Sequence, residues 1–364
     1  MGELETIVRA ARRAVQEGEA PVLATVVAVA GSAYRRPGAR LLITGEGWRA
    51  GSVSGGCLEK DIVTRGPWLA ANGPLTLTYD TTDDEESAYG LGCRGVIRIL
   101  LERLETGGAV DLLAFLEEGL ARRRPGVVAT LVAVAAPGHR VGQRLLWAGG
   151  WAVAHDLPAA ATLDACAALA GEVEAAGASA IRRLPVAGGE VELFAEYVAV
   201  PPSLVVFGAG HDAVPLVRFA KALGFHVTVV DGRPGQVTAA RFPLADRLQV
   251  CRPEAVGDAV AITAETLAVV MTHSLAADRQ IVAALLPSPA RYIGVLGPRK
   301  RSEELLAELD AGPGALGRLY APVGLDLGAE GPEAVALSIM AEIEAVVAGR
   351  PTGHLRDRAG PIHG

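Results

Sequence analysis

A cysteine placed behind two glycines, where a helical stretch begins, can hold an anion, a soft metal or a reactive sulfur. The run Gly51-Ser52-Val53-Ser54-Gly55-Gly56-Cys57-Leu58-Glu59 has that form. Unpaired amides and the helix dipole at such a position favour thiolate. Ser52 and Ser54 add donors, and Gly55 and Gly56 keep the approach open. Anion binding or soft-metal ligation is the expected chemistry; a buried packing thiol is the plain alternative. Cys93, in Gly90-Leu91-Gly92-Cys93-Arg94-Gly95, has similar glycine surroundings, and the two thiols are expected to face one cleft. The acidic stretch 80–86 before it reads as a solvated turn. Cys166, between alanines, and Cys251, at a strand end, read as packing residues.

A second loop points to phosphate. Gly208-Ala209-Gly210-His211 follows an apolar strand and opens a helix, with Ala213 at the third position of the Gly-x-Gly-x-x-Ala pattern. The first glycine permits the turn, the second lets backbone approach a pyrophosphate, and the helix start offers amides to the anion. Asp231 ends the next strand, where a ribose-binding acid belongs. His211 is either a packing residue or a ligand contact. Two more loops leave strand ends, where α/β sheets bind ligands. One is Thr272-His273-Ser274, followed by Asp278; the other is Gly297-Pro298-Arg299-Lys300-Arg301. Arg299 to Arg301 either hold a phosphate or form a solvated face, and His273 is either functional or a satisfied structural histidine.

These loops need elements to position them. The pattern predicts a helix over 3–16 and a strand over 21–29. The strand Val22-Leu23-Ala24-Thr25-Val26-Val27-Ala28-Val29 is echoed by Val127-Val128-Ala129-Thr130-Leu131-Val132-Ala133-Val134. Gly38-Ala39-Arg40-Leu41-Leu42 matches Gly142-Gln143-Arg144-Leu145-Leu146, and Gly47-Trp48 matches Gly150-Trp151. Each unit then carries a helix, 57–68 and 163–175, and a closing strand, 96–101 and 191–198. An internal duplication is expected, about 20–104 and 125–200, within one domain of residues 1–200. The first copy carries residues 52–57 where the second is read as Ala152-Val153-Ala154-His155-Asp156-Leu157, without a glycine pair or thiol. Pro201-Pro202 reads as a linker. After it, strands at 204–207, 227–230, 248–251, 267–271 and 292–296 alternate with helices, including 213–223 and 332–347, which implies a parallel sheet. The expected class is α/β: a Rossmann-like doubly wound parallel sheet over 203–350, an N-terminal α+β domain of two similar β-rich units, and a tail at 351–364.

Composition narrows the field. The chain has 364 residues, enough for two domains, and is 50% hydrophobic but only 4% aromatic, so small aliphatic residues do the packing. A formal charge of −7 argues against a nucleic-acid binder. Four scattered cysteines without a C-x-x-C pair argue against zinc or a disulfide framework and suit a reducing cytoplasm. No apolar run is long enough for a membrane span.

The assembled motifs resemble a known family. Gly31-Ser32-Ala33-Tyr34-Arg35-Arg36-Pro37-Gly38-Ala39, Ser54-Gly55-Gly56-Cys57-Leu58-Glu59 and Gly90-Leu91-Gly92-Cys93 look like the N-terminal signature of xanthine dehydrogenase accessory proteins, the XdhC/CoxI family. Gly208-Ala209-Gly210-His211, Asp231-Gly232-Arg233-Pro234, Met271-Thr272-His273, Tyr292-Ile293-Gly294-Val295-Leu296-Gly297 and Gly324-Leu325-Asp326-Leu327-Gly328-Ala329 match in order. The resemblance implies a maturation factor for molybdenum hydroxylases. Such a protein binds molybdenum cofactor, as molybdopterin or its dinucleotide, meets a cysteine desulfurase, and passes the sulfurated cofactor to an apoenzyme such as xanthine dehydrogenase. It implies a cytoplasmic homodimer acting as a cofactor chaperone rather than a turnover enzyme. On this reading both domains hold one ligand, with Cys57 nearest molybdenum and Cys93 as the second active thiol. Ser54, Gly55, Gly56, Gly208, Gly210, His211, Asp231, Arg233, His273, Arg299 and Arg301 form the cofactor-binding set, and NAD(H) is a further candidate ligand. Arg94 departs from the family's Gly-Cys-Gly-Gly. A cation there either favours thiolate or holds the pterin phosphate, or it narrows the loop.

Three other functions are open to these residues. An NAD(P)-dependent oxidoreductase fits the turn and Asp231, but the chain has no Tyr-x-x-x-Lys pair. A redox or metal sensor would use Cys57 and Cys93. A pure scaffold would bind protein partners alone.

Overall fold

The repeated apolar runs become matching strands. The computed structural model describes residues 2–31, 34–56, 58–80, 95–307, 309 and 313–359. The chain divides into two compact units, Glu3–Val200 and Met1–Gly2 with Pro201–Gly364.

The first unit runs α1 (Glu3–Gln16), β1 (Val22–Gly31), β2 (Arg40–Thr44), β3 (Gly47–Gly51), α2 (Glu59–Leu69), β4 (Leu75–Asp80), β5 (Gly95–Arg103). The same series follows as α3 (Leu112–Arg122), β6 (Gly126–Val134), β7 (Arg144–Ala148), β8 (Trp151–His155), α4 (Ala160–Ala176), β9 (Ala180–Val186), β10 (Gly189–Val198). Two antiparallel sheets result, ordered β3-β2-β1-β5-β4 and β8-β7-β6-β10-β9. Register agrees as closely as order. Leu23 faces Glu102 and Ala28 faces Arg98 across β1–β5, with a bulge between Val26 and Ala28. Val128 faces Glu196 and Ala133 faces Glu192 across β6–β10, with a bulge between Leu131 and Ala133. A bulge reverses the side-chain alternation locally, so both copies turn the same residues inward.

Alternation along β1 and β6 gives each sheet two apolar faces. One face packs in the first copy on Ile62 of α2 and on Leu58 just before it. In the second it packs on α4, through Cys166, Leu169 and Val173. The other face of both sheets shares a core with α1 and α3, where Ile7, Val8, Leu112 and Leu116 meet Leu23, Leu42, Val128 and Leu146. Between the sheets, Val27, Leu100, Val132 and Phe194 form a smaller cluster. Two buried ion pairs cross there reciprocally. Arg40 Nη2 bonds Glu196 Oε2 at 2.5 Å, and Arg144 bonds Glu102.

The sheet register corrects one expectation. Leu42 faces Ala50 in β2–β3, and Leu146 faces Ala154 in β7–β8. His155 therefore stands where Gly51 does, and Asp156-Leu157 stand where Ser52-Val53 do. Residues 152–154 belong to β8 and are not the counterpart of the 52–57 loop. Residues 52–58 join β3 to α2, whereas only 156–159 join β8 to α4. The loop bearing the glycine pair is extra length present in one copy.

The second unit is a parallel sheet. It runs β11 (Ser203–Phe207), α5 (Ala213–Ala222), β12 (His226–Asp231), β13 (Arg247–Val250), α6 (Val256–Ala259), β14 (Thr266–Val270), α7 (Leu275–Leu285). It continues β15 (Tyr292–Val295), α8 (Arg299–Ala307), α9 (Pro313–Leu316), β16 (Leu319–Tyr320), α10 (Pro332–Val347). The order is β13-β12-β11-β14-β15-β16, all parallel. This doubly wound Rossmann-type order reverses direction between β11 and β14, which opens a crevice at their carboxyl ends. Helices cover both faces. Leu204 and Val206 share a core with Leu216 of α5 and Ile339 of α10, while Val205 and Phe207 share one with Ile281 and Leu285 of α7.

Candidate functional site

In the first unit the glycine loop is wound around a carboxylate. Glu59, the first residue of α2, is 1% exposed. Its Oε1 accepts from Ser52 Oγ at 2.7 Å and from the amides of Val53 at 3.0 Å, Ser54 at 2.9 Å and Gly55 at 3.2 Å. Its Oε2 accepts from the Gly56 amide at 2.8 Å and from the Ser54 hydroxyl. Ser54 Oγ in turn accepts from the Leu58 amide at 2.9 Å. Ser54 and Glu59 thus hold each other's ends of the loop, Glu59 through the Ser54 amide and Ser54 through the Leu58 amide. Burial pushes the Glu59 carboxyl up, but the Ser54 and Ser52 hydroxyls and the loop amides outweigh it and hold it at about 2.

The amides expected to meet an outside anion thus meet Glu59, and helix α2 begins at this residue rather than at Cys57. The amides of Ser54, Gly55 and Gly56 all bond Glu59, which organises the loop. The signal for Glu59 was the pair of serines ahead of a glutamate at a helix start. Tyr34, 66% exposed, lies against the loop: a Cβ on Gly55 would stand 2.9 Å from its Cδ1. Cys57, Cys93 and Arg94 lie outside the described residues. Cys166 is buried, and burial pushes its thiol up to about 12, an inert packing position.

In the second unit the Gly208 loop and the His273 loop meet at the crevice. Gly208 has φ +114°, and a Cβ there would come within 2.5 Å of the Met271 carbonyl oxygen. At Gly210 a Cβ would stand 3.2 Å from His273 Nε2, so a side chain there fits only if the His273 ring gives way. His273 itself has φ +62° and lies 3.4 Å, through Nε2, from Asp212 Oδ2. His211 is exposed in the first turn before α5.

Asp231, at the end of β12, is 5% exposed and Arg233 is 60% exposed. Burial pushes the Asp231 carboxyl up, yet bonds from Arg233 and the Ala209 amide hold it below the usual range. Both residues line a cleft of about 490 Å³ formed at the ends of β11, β12, β13 and β14. Phe207, Val230 and Ile281 supply apolar wall, and Arg252, Glu254 and Thr272 supply polar groups. Cys251 also lines it, and its thiol is pushed up by burial and by Glu254.

The basic start of α8 divides. Arg299 and Lys300 are exposed. Arg301 instead turns inward, with Nη2 2.5 Å from Oδ2 of Asp278, which is fully buried. Asp278 Oδ1 also accepts from Thr272 Oγ1 at 2.6 Å and from its amide at 3.2 Å. Arg301 therefore fixes the loop beside the crevice, and of the three expected cations it is the one already paired. Among the described residues no group of three His, Cys, Asp or Glu side chains is placed to hold a metal ion. No helix among them is long and apolar enough to cross a membrane.

A duplicated antiparallel unit joined to a Rossmann-type domain defines an α/β class with a crevice at the carboxyl ends of its parallel strands. Comparison with known proteins gives the family. Residues 204–343 match the model described as the XdhC Rossmann domain, and residues 14–80 match the XdhC and CoxI family. A probable xanthine dehydrogenase subunit from Bacillus subtilis (strain 168) is 33% identical over 346 residues, 94% of this chain and 97% of that protein. The molybdenum cofactor insertion chaperone PaoD of Escherichia coli (strain K12) is 33% identical over 129 residues, 33% of this chain and 37% of PaoD. A crystal structure described as a xanthine dehydrogenase from Bacillus halodurans superposes with a TM-score of 0.76 at 28% identity, covering 97% of each chain. The chain belongs to the XdhC/CoxI family.

Proposed function

We propose that this protein is an accessory factor in the maturation of a molybdenum hydroxylase. It carries molybdenum cofactor as cargo, holds it while a cysteine desulfurase supplies the terminal sulfur, and delivers it to the apoenzyme. Xanthine dehydrogenase is the partner class that the full-length relative supports, and the likeness to PaoD supports the cargo. The observation that carries the reading is the Glu59-held loop, which lies within the segment matched to the XdhC and CoxI family. The exposed Tyr34 ring beside Gly55 offers a planar face to a pterin. A thiol is the side chain suited to a soft metal or its sulfur. The crevice of the second unit is the seat of a nucleotide, either the cargo's own tail or an adenine dinucleotide such as NAD(H). The working form is a cytoplasmic homodimer.

The test is Cys57→Ala, assayed anaerobically for cofactor retained on the protein and for activation of an apo-hydroxylase. Loss of both is expected. Wild-type retention and wild-type activation would overturn the role given to Cys57.

A further inference from the structure

The carboxylate that ends β12 has no acceptor capacity left. An ionised carboxylate offers about four lone-pair directions. Asp231 Oδ1 accepts from the Arg233 amide at 2.9 Å and from Arg233 Nε at 3.0 Å. Its Oδ2 accepts from the Ala209 amide at 2.8 Å and from Arg233 Nη2 at 2.8 Å. In dinucleotide-binding sheets an acid at this strand end accepts the hydroxyls of an unmodified ribose, whereas a nearby arginine accommodates a ribose 2′-phosphate. Here the acid is filled from within the protein, and the exposed group is the arginine it holds.

A second guanidinium belongs to the same cleft. Arg252, just beyond β13, is exposed and lines it. Glu254, on the following turn, is the cleft's other carboxylate; it is exposed, and it faces Cys251 closely enough to raise that thiol. With Arg233 counterbalanced by Asp231, an added phosphate has two guanidinium groups to approach and one exposed carboxylate to avoid. The cleft volume of about 490 Å³, with apolar wall from Phe207, Val230 and Ile281, falls in the range that encloses small ligands.

We propose that this cleft selects a nucleotide whose adenosine ribose carries a 2′-phosphate monoester, with Arg233 and Arg252 on the phosphate and Asp231 holding Arg233 in place. The inference rests on the reading of the crevice as a nucleotide site and adds the class of nucleotide it takes. The Asp231 bond orients the Arg233 fork before the ligand arrives, so less side-chain freedom is lost on binding. Removing Arg233 has two consequences. The phosphate loses a cation, and Asp231 regains the lone pairs that Nε and Nη2 occupy, so it becomes able to accept an unmodified ribose.

The experiment titrates the full chain with NADPH and, separately, with NADH, following nucleotide fluorescence, with 2′-AMP and 5′-AMP as competitors. NADPH is expected to bind about tenfold more tightly than NADH, the effect of one charge-assisted contact. Arg233→Ala is expected to reverse that order, a swap that a merely structural role would not produce. Arg252→Ala is expected to weaken NADPH without improving NADH, and it carries the test if Arg233→Ala does not fold. Equal or tighter binding of NADH to the wild-type chain overturns the proposal and leaves the crevice a nucleotide site. Binding of neither dinucleotide overturns the proposal together with the reading of the crevice as an adenine dinucleotide site, while the Cys57 experiment still decides the cargo.

Discussion

Arg98 and Glu192 occupy the same place in the two sheets of the first unit, carry opposite charges, and pair with each other. Arg98 faces Ala28 and Glu192 faces Ala133, each just past the shared bulge, and the two side chains form an ion pair. In two identical copies this position would set like charge against like. The copies have therefore diverged into complementary halves. The reciprocal pairs Arg40–Glu196 and Arg144–Glu102 keep the older symmetry. Only one half carries the long loop between its third strand and its helix.

The reciprocal pairs are buried, and a buried charge left without its partner is costly. Arg40→Ala is expected to destabilise the first unit by about 3–5 kcal/mol, whereas Arg40→Leu combined with Glu196→Leu costs much less. Urea unfolding, read on the transition of that unit, distinguishes the two. A single variant as stable as the double would contradict the arrangement.

Glu59 makes stability depend on acid. Its carboxyl is held at about 2, below the unfolded value of about 4.3. A depressed folded value gives stability that is fully present above the unfolded value and is lost as pH falls towards 2. Glu59→Gln is expected to cost about 2 kcal/mol at neutral pH and to flatten the Tm profile between about pH 4.5 and 2. An unchanged profile would show that the loop does not rely on this carboxylate.

Much of the architecture was legible in the letters. The bounds of α10 follow from Pro332 at its start and an apolar period behind it, and β6 is announced by its echo of β1. The register of the loop was not legible. Aligning Gly47-Trp48 with Gly150-Trp151 matches surface letters but is one residue out, because two-residue turns place Gly47 opposite Thr44 and Trp151 opposite Ala148; setting 52–57 against 152–157 is four residues out, because His155 stands where Gly51 does. Edge strands were also missed: β9 carries Pro185, which a central strand would exclude, and β16 is only Leu319–Tyr320. Sequence placed an acid at Asp231 and donors around Ser54. That Arg233 fills the first and Glu59 gathers the second are tertiary facts, set by which side chains the folded loops bring within reach.

The two glycines of the crevice should respond differently. Gly208→Ala forces a left-handed backbone on an alanine and a clash with the Met271 carbonyl, so a loss of about 2–4 kcal/mol is expected. Gly210→Ala meets only the tip of the exposed His273 ring, which has room to move. Thermal unfolding of both variants checks this, and equal losses would contradict the packing described.

The most direct test of the cofactor-carrier account is mass analysis of small molecules released from the full chain after co-expression with its hydroxylase and purification without oxygen. The account predicts a molybdenum pterin in the wild-type protein and its loss in Cys57→Ala. A wild-type protein that carries no pterin, or a Cys57→Ala protein that carries as much as the wild type, would contradict it.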